Sequence, residues 1–204
     1  MINIQRIINH PITSNCFVVY SSRWKECIVI DPGMEDCNKI IGFITQNQLN
    51  PQYILLTHEH FDHIWGVNKL REKYRVNLIC SKSCSEAIIN SKRNMSLFYN
   101  QKGFETLSAD KTIEELNYKL KWNGINLEFI ETPGHSKGSM CVCFENVLFT
   151  GDTLIKDLKT VTKLPGGNIS ELKESIDFIK SKFKSINPMV YAGHGECFLL
   201  NDID

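Results

Sequence analysis

The part of the sequence best suited to chemistry is HEHFDH at residues 58–63, which carries three imidazoles and two carboxylates. It directly follows the apolar run YILL, which is typical of a buried strand. Alternate residues of an extended segment point to the same side, so His58 and His60 can share one metal ion. Asp62 and His63, beyond the bend, can reach another. Neutral imidazole and carboxylate suit zinc, and also iron or manganese, so the segment predicts a metal site.

Three further candidate ligands occur where predicted strands end. His135 lies in TPGH, Asp152 in FTGD and His194 in GHG, and each motif follows a short apolar run. Taken singly, an aspartate after Thr-Gly or a histidine between glycines is typical of a structural turn. The conjunction of three such positions with the HEHFDH segment is what favours ligand roles for them.

A competing pattern is GHSKG at residues 134–138, which fits the G-x-S-x-G motif of serine hydrolases. Ser136, Asp152 and His194 also follow one another in the order Ser, Asp, His. However, a nucleophilic serine of this kind opens a helix, whereas the residues after Ser139 alternate as in a strand. The serine mechanism would also leave HEHFDH unexplained, so we predict that Ser136 is not a nucleophile.

Composition argues against several other classes. The chain has 204 residues, with 23 basic and 23 acidic side chains and a formal net charge of zero. This balance disfavours a nucleic-acid or membrane-surface partner. No apolar run is long enough to span a bilayer, and we expect no secretory signal. The eight cysteines include no CxxC pair and lie mostly in apolar runs, which predicts reduced thiols and a cytoplasmic location. The sequence specifies no oligomeric state.

The rest of the sequence predicts short strands alternating with helices in one domain over residues 1–204. Apolar runs and turn residues predict strands at residues 2–8, 16–20, 27–30, 53–56, 76–80, 118–122, 126–130, 140–144, 147–149 and 189–192. Helical spacing predicts helices at residues 35–48, 64–74, 83–90 and 170–183, the last with Ser170 as its N-cap. Residues 91–110 show no clear period and are predicted to form a long loop.

Taken in order, HEHFDH, TPGH, FTGD and GHG resemble the metallo-β-lactamase superfamily. The likeness extends to its small glyoxalase-II-like hydrolases, which are relatives of hydroxyacylglutathione hydrolase, through the segments NCF, DPG and LPGG. The resemblance implies an α/β fold, a four-layer αββα sandwich of two mixed β-sheets with helices on the outer faces. It places the metals in loops along one edge of the sheets. Glyoxalase II proper has a further helical domain that helps to hold glutathione, and we expect this chain to lack it.

The resemblance also implies seven ligands for two divalent metal ions, with Zn²⁺ favoured over iron or manganese. They are a first set of His58, His60 and His135, a second set of Asp62, His63 and His194, and the bridging Asp152. Asp62 and Asp152 are at the same time the candidate catalytic residues. Asp31 is expected to fix the histidine loop from outside the ligand sets.

The implied reaction is attack by a metal-bridging hydroxide on the carbonyl of a small-molecule thioester or related ester. One alternative is a mononuclear iron persulfide dioxygenase, which would use only His58, His135 and Asp152. The complete second set favours the binuclear hydrolase. An alternative from another class is a metal-binding protein without turnover.

Overall fold

A computed structural model describes residues 1–114 and 118–203, and their strands form two six-stranded sheets. The first sheet has the strand order β1-β2-β3-β4-β5-β6, with β1 Ile2–Ile8, β2 Asn15–Ser21, β3 Trp24–Ile30, β4 Asn50–Leu55, β5 Asn77–Ser81 and β6 Lys111–Ile113. The second sheet has the order β12-β11-β10-β9-β8-β7, with β7 Lys119–Trp122, β8 Ile125–Glu131, β9 Met140–Phe144, β10 Val147–Gly151, β11 Met189–Ala192 and β12 Phe198–Leu199.

Both sheets are mixed, and their strand directions gather several C-terminal ends at one edge. In the first sheet β3, β4, β5 and β6 run parallel. In the second sheet β8 and β10 are each antiparallel to β9, so they run in the same direction, and β11 is parallel to β10. Loops that leave β3 and β4 therefore share one edge of their sheet, as do loops that leave β8, β10 and β11. Such carboxyl edges are where α/β proteins commonly bind ligands.

The helices are short except for the last. They are α1 Asn38–Gln46, α2 Phe61–Ile64, α3 Val67–Tyr74, α4 Lys82–Ile88, α5 Ser96–Asn100, α6 Ile169–Phe183 and a 3₁₀ turn at Leu200–Asp202. Helix α1 buries Ile40 and Ile44, one turn apart, in the cluster that contains the first sheet. None of the helices formed by residues 1–114 and 118–203 combines the length and the apolar character that a bilayer crossing requires.

The alternation along β9 shows how the layers stack. Met140, Val142 and Phe144 are buried in the large cluster that also holds the side chains of the first sheet. Cys141 and Cys143 point the other way and belong to a second buried cluster, which includes the apolar face of α6. The two sheets thus pack face to face, with α1, α3 and α4 outside one and α6 outside the other. The αββα sandwich expected from the resemblance is confirmed.

Three local expectations were wrong or incomplete. The helix predicted at residues 64–74 is split at Gly66, where the Gly66 N–H donates to Pro32 O at 2.7 Å. Glycine is needed at this position because a side chain would overlap Cys37 Sγ. Asn168, rather than Ser170, caps α6, since its side chain accepts hydrogen bonds from the amides of Ser170 and Glu171. The predicted loop at 91–110 contains the short helix α5.

Candidate metal centre

The seven candidate ligands all lie in the loops, or in the short helix α2, that follow the C-terminal ends of strands. The HEHFDH segment follows β4, and its last residues form α2. His135 follows β8, Asp152 follows β10 and His194 follows β11. Backbone hydrogen bonds join the two sheets here: Met140 N donates to Thr57 O at 2.8 Å. The loops of both sheets therefore converge on one site.

The first set consists of three buried imidazoles. The facing ring nitrogens of His58, His60 and His135 lie within 4.8 Å of one another. His135 Nε2 is 2.8 Å from His60 Nδ1. The outward nitrogens of two of these rings are engaged: His58 Nδ1 lies 3.1 Å from Thr57 Oγ1, and His135 Nδ1 lies 2.8 Å from Val161 O. Because a carbonyl only accepts, His135 carries its proton on Nδ1 and turns Nε2 inward as a lone pair.

The second set contains a carboxylate and two imidazoles. One potential ligand atom from each of Asp62, His63 and His194 lies within 4.8 Å of the others. Asp62 Oδ2 is 3.5 Å from His63 Nε2 and 3.4 Å from His194 Nε2. This arrangement gathers one formal negative charge and two nitrogen donors, which suits a divalent cation.

Asp152 lies between the two sets. Its Oδ2 is 3.6 Å from His135 Nε2 and 3.5 Å from His194 Nε2, and its Oδ1 is 3.6 Å from His63 Nε2. The space around it is limited: a Cβ added at Gly193 would overlap Asp152 Oδ1 and lie 2.9 Å from His63 Cε1. Glycine is therefore required beside the carboxylate that faces both sets.

Asp31 orients the histidine loop, as expected from the sequence. Its Oδ1 accepts a hydrogen bond from Thr57 N at 2.8 Å, and its Oδ2 accepts one from Thr57 Oγ1 at 2.6 Å. Oδ2 also lies 3.1 Å from His63 Nδ1. A carboxylate behind a histidine fixes the tautomer that leaves the far nitrogen free for a metal. Asp31 adopts φ 52°, a left-handed conformation that is uncommon for residues with a side chain.

The two sets have opposite electrostatic environments. Burial, together with the neighbouring His135, lowers the pKa of His60 to about 3, so this imidazole is neutral. Burial also lowers the pKa of His63, but Asp62 and Asp152 outweigh it and raise that pKa to about 10. A positive charge is thus favoured between the carboxylates, where a proton takes the place that a metal cation can fill.

The donor set fits metal ions on a second, independent ground. His58 Nε2, His63 Nε2 and Asp152 Oδ1 are buried and have no hydrogen-bond partner among the described residues. An unpartnered buried polar atom ordinarily costs about 1–3 kcal/mol. These three atoms all point into the same site, so a shared ligand would satisfy them together. Cations held by the two sets would supply that partner.

Comparisons with known proteins agree with this geometry. The model of the metallo-beta-lactamase superfamily matches residues 11–194. The chain belongs to the metallo-β-lactamase superfamily. It is 31% identical over 189 residues to the probable metallo-hydrolase YqgX of Bacillus subtilis, covering 91% of this chain and 86% of YqgX. It is 27% identical over 197 residues to the hydroxyacylglutathione hydrolase GloC of Haemophilus influenzae, covering 95% and 91%.

The fold of this superfamily is also found in a closely superimposable solved structure. The BLEG-1 B3 metallo-beta-lactamase matches with a TM-score of 0.89 and 29% sequence identity. The match covers 98% of this chain and 95% of the other. The shared fold therefore extends over nearly the whole of both chains.

The alternative pattern at GHSKG has a structural explanation within this fold. Ser136 is fully buried, and its hydroxyl donates to Glu59 Oε2 at 2.8 Å. The chain after Ser139 continues as the strand β9, not as a helix. Ser136 therefore links the His135 loop to the histidine loop and lacks the exposed position of a nucleophile.

Sequence reasoning missed several polar groups around the site. Asn9, Ser14 and Asn15 are buried next to the second set, and Val161 contributes only its carbonyl. Asn15 falls in the NCF segment, which signalled the family but not the residue's contacts. Backbone acceptors such as Val161 O leave no signal in side-chain types at all.

Proposed function

We propose that this protein is a binuclear metal-dependent hydrolase that cleaves a thioester or a related ester of a small molecule. The observation that carries the proposal is the meeting of two complete ligand sets with Asp152 between them. Membership of a superfamily of metal-dependent hydrolases supports the reaction class. The likeness to GloC supports a hydroxyacylglutathione or similar thioester as substrate.

His58, His60 and His135 would hold one ion, and Asp62, His63 and His194 the other, with Asp152 reaching both. When bound, two divalent ions acidify water and polarise a carbonyl oxygen. The chain's own part is to orient these ligands and to handle protons. Asp152, with 13% side-chain exposure, is the carboxylate that would take a proton and return it to the departing thiolate, whereas Asp62 would serve catalysis by holding the second ion.

The donor chemistry favours zinc, because tetrahedral nitrogen and oxygen ligands suit it well, although iron and manganese use similar donors. We further propose a single domain over residues 1–204 and a cytoplasmic location. The latter is supported by the eight cysteines, which are all free thiols in the described chain, seven of them buried.

The test combines metal analysis with a panel of thioesters that includes S-lactoylglutathione. We expect two metal equivalents in the wild type. We expect Asp62→Ala to lose most activity, on the order of 100-fold, together with one ion. Ser136→Ala is the matched control at the edge of the site. It should retain turnover, because the hydroxyl that it removes donates to Glu59 and does not reach the ligand sets.

Three results would contradict this function in different ways. A stoichiometry that stays at one iron, with consumption of a persulfide, would establish the dioxygenase alternative. Two bound ions without turnover of any ester would indicate a binding protein. Loss of activity in Ser136→Ala with both metals retained would reinstate the serine mechanism.

A further inference from the structure

Residues 9–15, which are the turn between β1 and β2 and the first residue of β2, contact the second ligand set from outside. We call this segment the N-terminal clasp. It touches both Asp62 and His194, which come from different sheets. The backbone of Ser14 also forms an isolated antiparallel bridge with His194. A segment far from the ligands in sequence thus contacts two of the three members of one set.

On the Asp62 side, the clasp holds the backbone of the ligand. Ser14 Oγ donates a hydrogen bond to Asp62 O. Asn9 Nδ2 in turn donates to Ser14 Oγ at 2.9 Å and lies 3.3 Å from Asp31 O. Asn9 and Ser14 are fully buried, so these bonds are shielded from competing water.

The same carbonyl is confined on its other side. A Cβ added at Gly33 would overlap Asp62 O, so the carbonyl occupies the space that a side chain at position 33 would fill. Asp62 is therefore held between Ser14 and Gly33. The backbone of Asp62 is thereby fixed, and its carboxylate can move only by rotation about the side-chain torsions.

On the His194 side, the clasp forms hydrogen bonds to backbone carbonyls before and after the ligand. Asn15 N donates to Gly193 O at 2.6 Å, and Asn15 Nδ2 donates to Ala192 O and Gly195 O, both at 2.9 Å. His194 Nδ1 lies 3.1 Å from Thr13 O. The carbonyl fixes the proton on Nδ1, so Nε2 is left to face Asp62 and Asp152.

The first set is supported differently. His58 Nδ1 is within hydrogen-bond distance of Thr57 Oγ1, and His135 Nδ1 is within hydrogen-bond distance of Val161 O. Among the described residues, the side-chain hydrogen bonds of Asn9, Ser14 and Asn15 run to one another, to Asp31 O, to Asp62 O or to the backbone around His194, and none runs to His58 or His135. The two ion positions therefore depend on separate parts of the fold.

We propose that the N-terminal clasp is a positioning element for the second metal ion alone. This inference rests on the proposed binuclear function, because it assigns the clasp to one of two ions. Ser14 and Asn15 act through Asp62 and His194 and touch no reacting atom. Loss of such outer contacts typically weakens metal affinity about 10–100-fold. We expect that loss at one ion, with the other unchanged.

The experiment is a stepwise titration of the metal-free protein with Co²⁺, followed by visible absorption and calorimetry. Ser14→Ala and Asn15→Ala remove the side-chain donors. Thr13→Ala is the control, because Thr13 is exposed and contributes only its backbone carbonyl to His194. We expect two resolved equivalents in the wild type and in the control. In the two variants one of the two equivalents should bind about 10–100-fold more weakly, and the other should keep its wild-type affinity.

Circular dichroism of each metal-free variant shows whether it is folded. If Asn15→Ala does not fold, Ser14→Ala, which removes a single hydroxyl, decides the question. If Ser14→Ala binds two equivalents with unchanged affinities, or binds both equally weakly, the proposed role of the clasp is wrong and the binuclear function is unaffected. A wild type that binds one equivalent would overturn both proposals.

Discussion

Replacing Asp31 by asparagine changes one atom of a buried carboxylate and should weaken binding of the second ion. The amide introduced by this substitution could face either way. If its NH₂ faced Thr57 N, two donors would meet. If the NH₂ faced His63, His63 would have to accept a hydrogen bond at Nδ1 and carry its own proton on Nε2, the atom that points into the site. Either orientation loses a hydrogen bond or blocks a ligand atom.

The magnitude follows from the contacts. Hydrogen bonds to a charged group contribute about 1.5–3 kcal/mol each, so we expect the metal-free Asp31→Asn variant to lose about 2–3 kcal/mol in its free energy of unfolding. Loss of the carboxylate behind His63 should weaken the second ion about 10–100-fold, or about 1.4–2.8 kcal/mol. The first ion should be weakened less, because Asp31 reaches His58 only through Thr57.

The assay is competition with a colorimetric zinc chelator, alongside urea unfolding of the metal-free protein. Asp36→Asn makes the same chemical change at an exposed carboxylate that accepts from Asn38 N at 3.0 Å, and it should alter neither quantity appreciably. If Asp31→Asn bound both ions with wild-type affinity, the reasoning that a carboxylate sets the His63 tautomer would be refuted.

Two further predictions concern packing. Gly193→Ala should weaken binding of both ions, because the added methyl would overlap Asp152 Oδ1. The control is Gly42→Ala in α1, where the methyl meets no atom within 4 Å and should stabilise the protein by about 0.5–1 kcal/mol. Equal metal content in the two variants would contradict this prediction. A disulfide reagent at neutral pH should modify about one thiol in the native protein, the half-buried Cys197, and eight after denaturation. Burial raises the pKa of Cys141 to about 12, so rapid native labelling of several thiols would contradict the buried positions.

The sequence predicted the layers well where a local pattern determines the structure. The strands at residues 140–144 and 189–192 were predicted with the bounds that they have, because apolar alternation and flanking turn residues delimit them. The break at Gly66 could not be predicted in this way. It depends on Pro32 and Cys37, which are distant along the chain and meet Gly66 only after folding.

The same division applies to the site. Four of the seven candidate ligands lie in one hexapeptide, and the other three lie in short recognisable motifs. The sequence therefore predicted that they would come together. The role of Ser14 could not, because its hydroxyl bonds to a backbone carbonyl 48 positions away. Asn15 bonds to carbonyls 177 and 180 positions away. Side-chain types alone carry no information about which distant backbone atom they meet.

The distribution of support around the site follows from the chemistry of its two halves. Three neutral imidazoles form a first set with little charge to balance, and neighbouring loop atoms suffice to orient them. The second set differs because it carries the Asp62 carboxylate, which electrostatic attraction would draw onto His63 when no cation is bound. Clamping Asp62 and His194 through their backbones holds these groups apart in advance. Preorganisation of that kind makes binding of the cation less dependent on rearranging the loops.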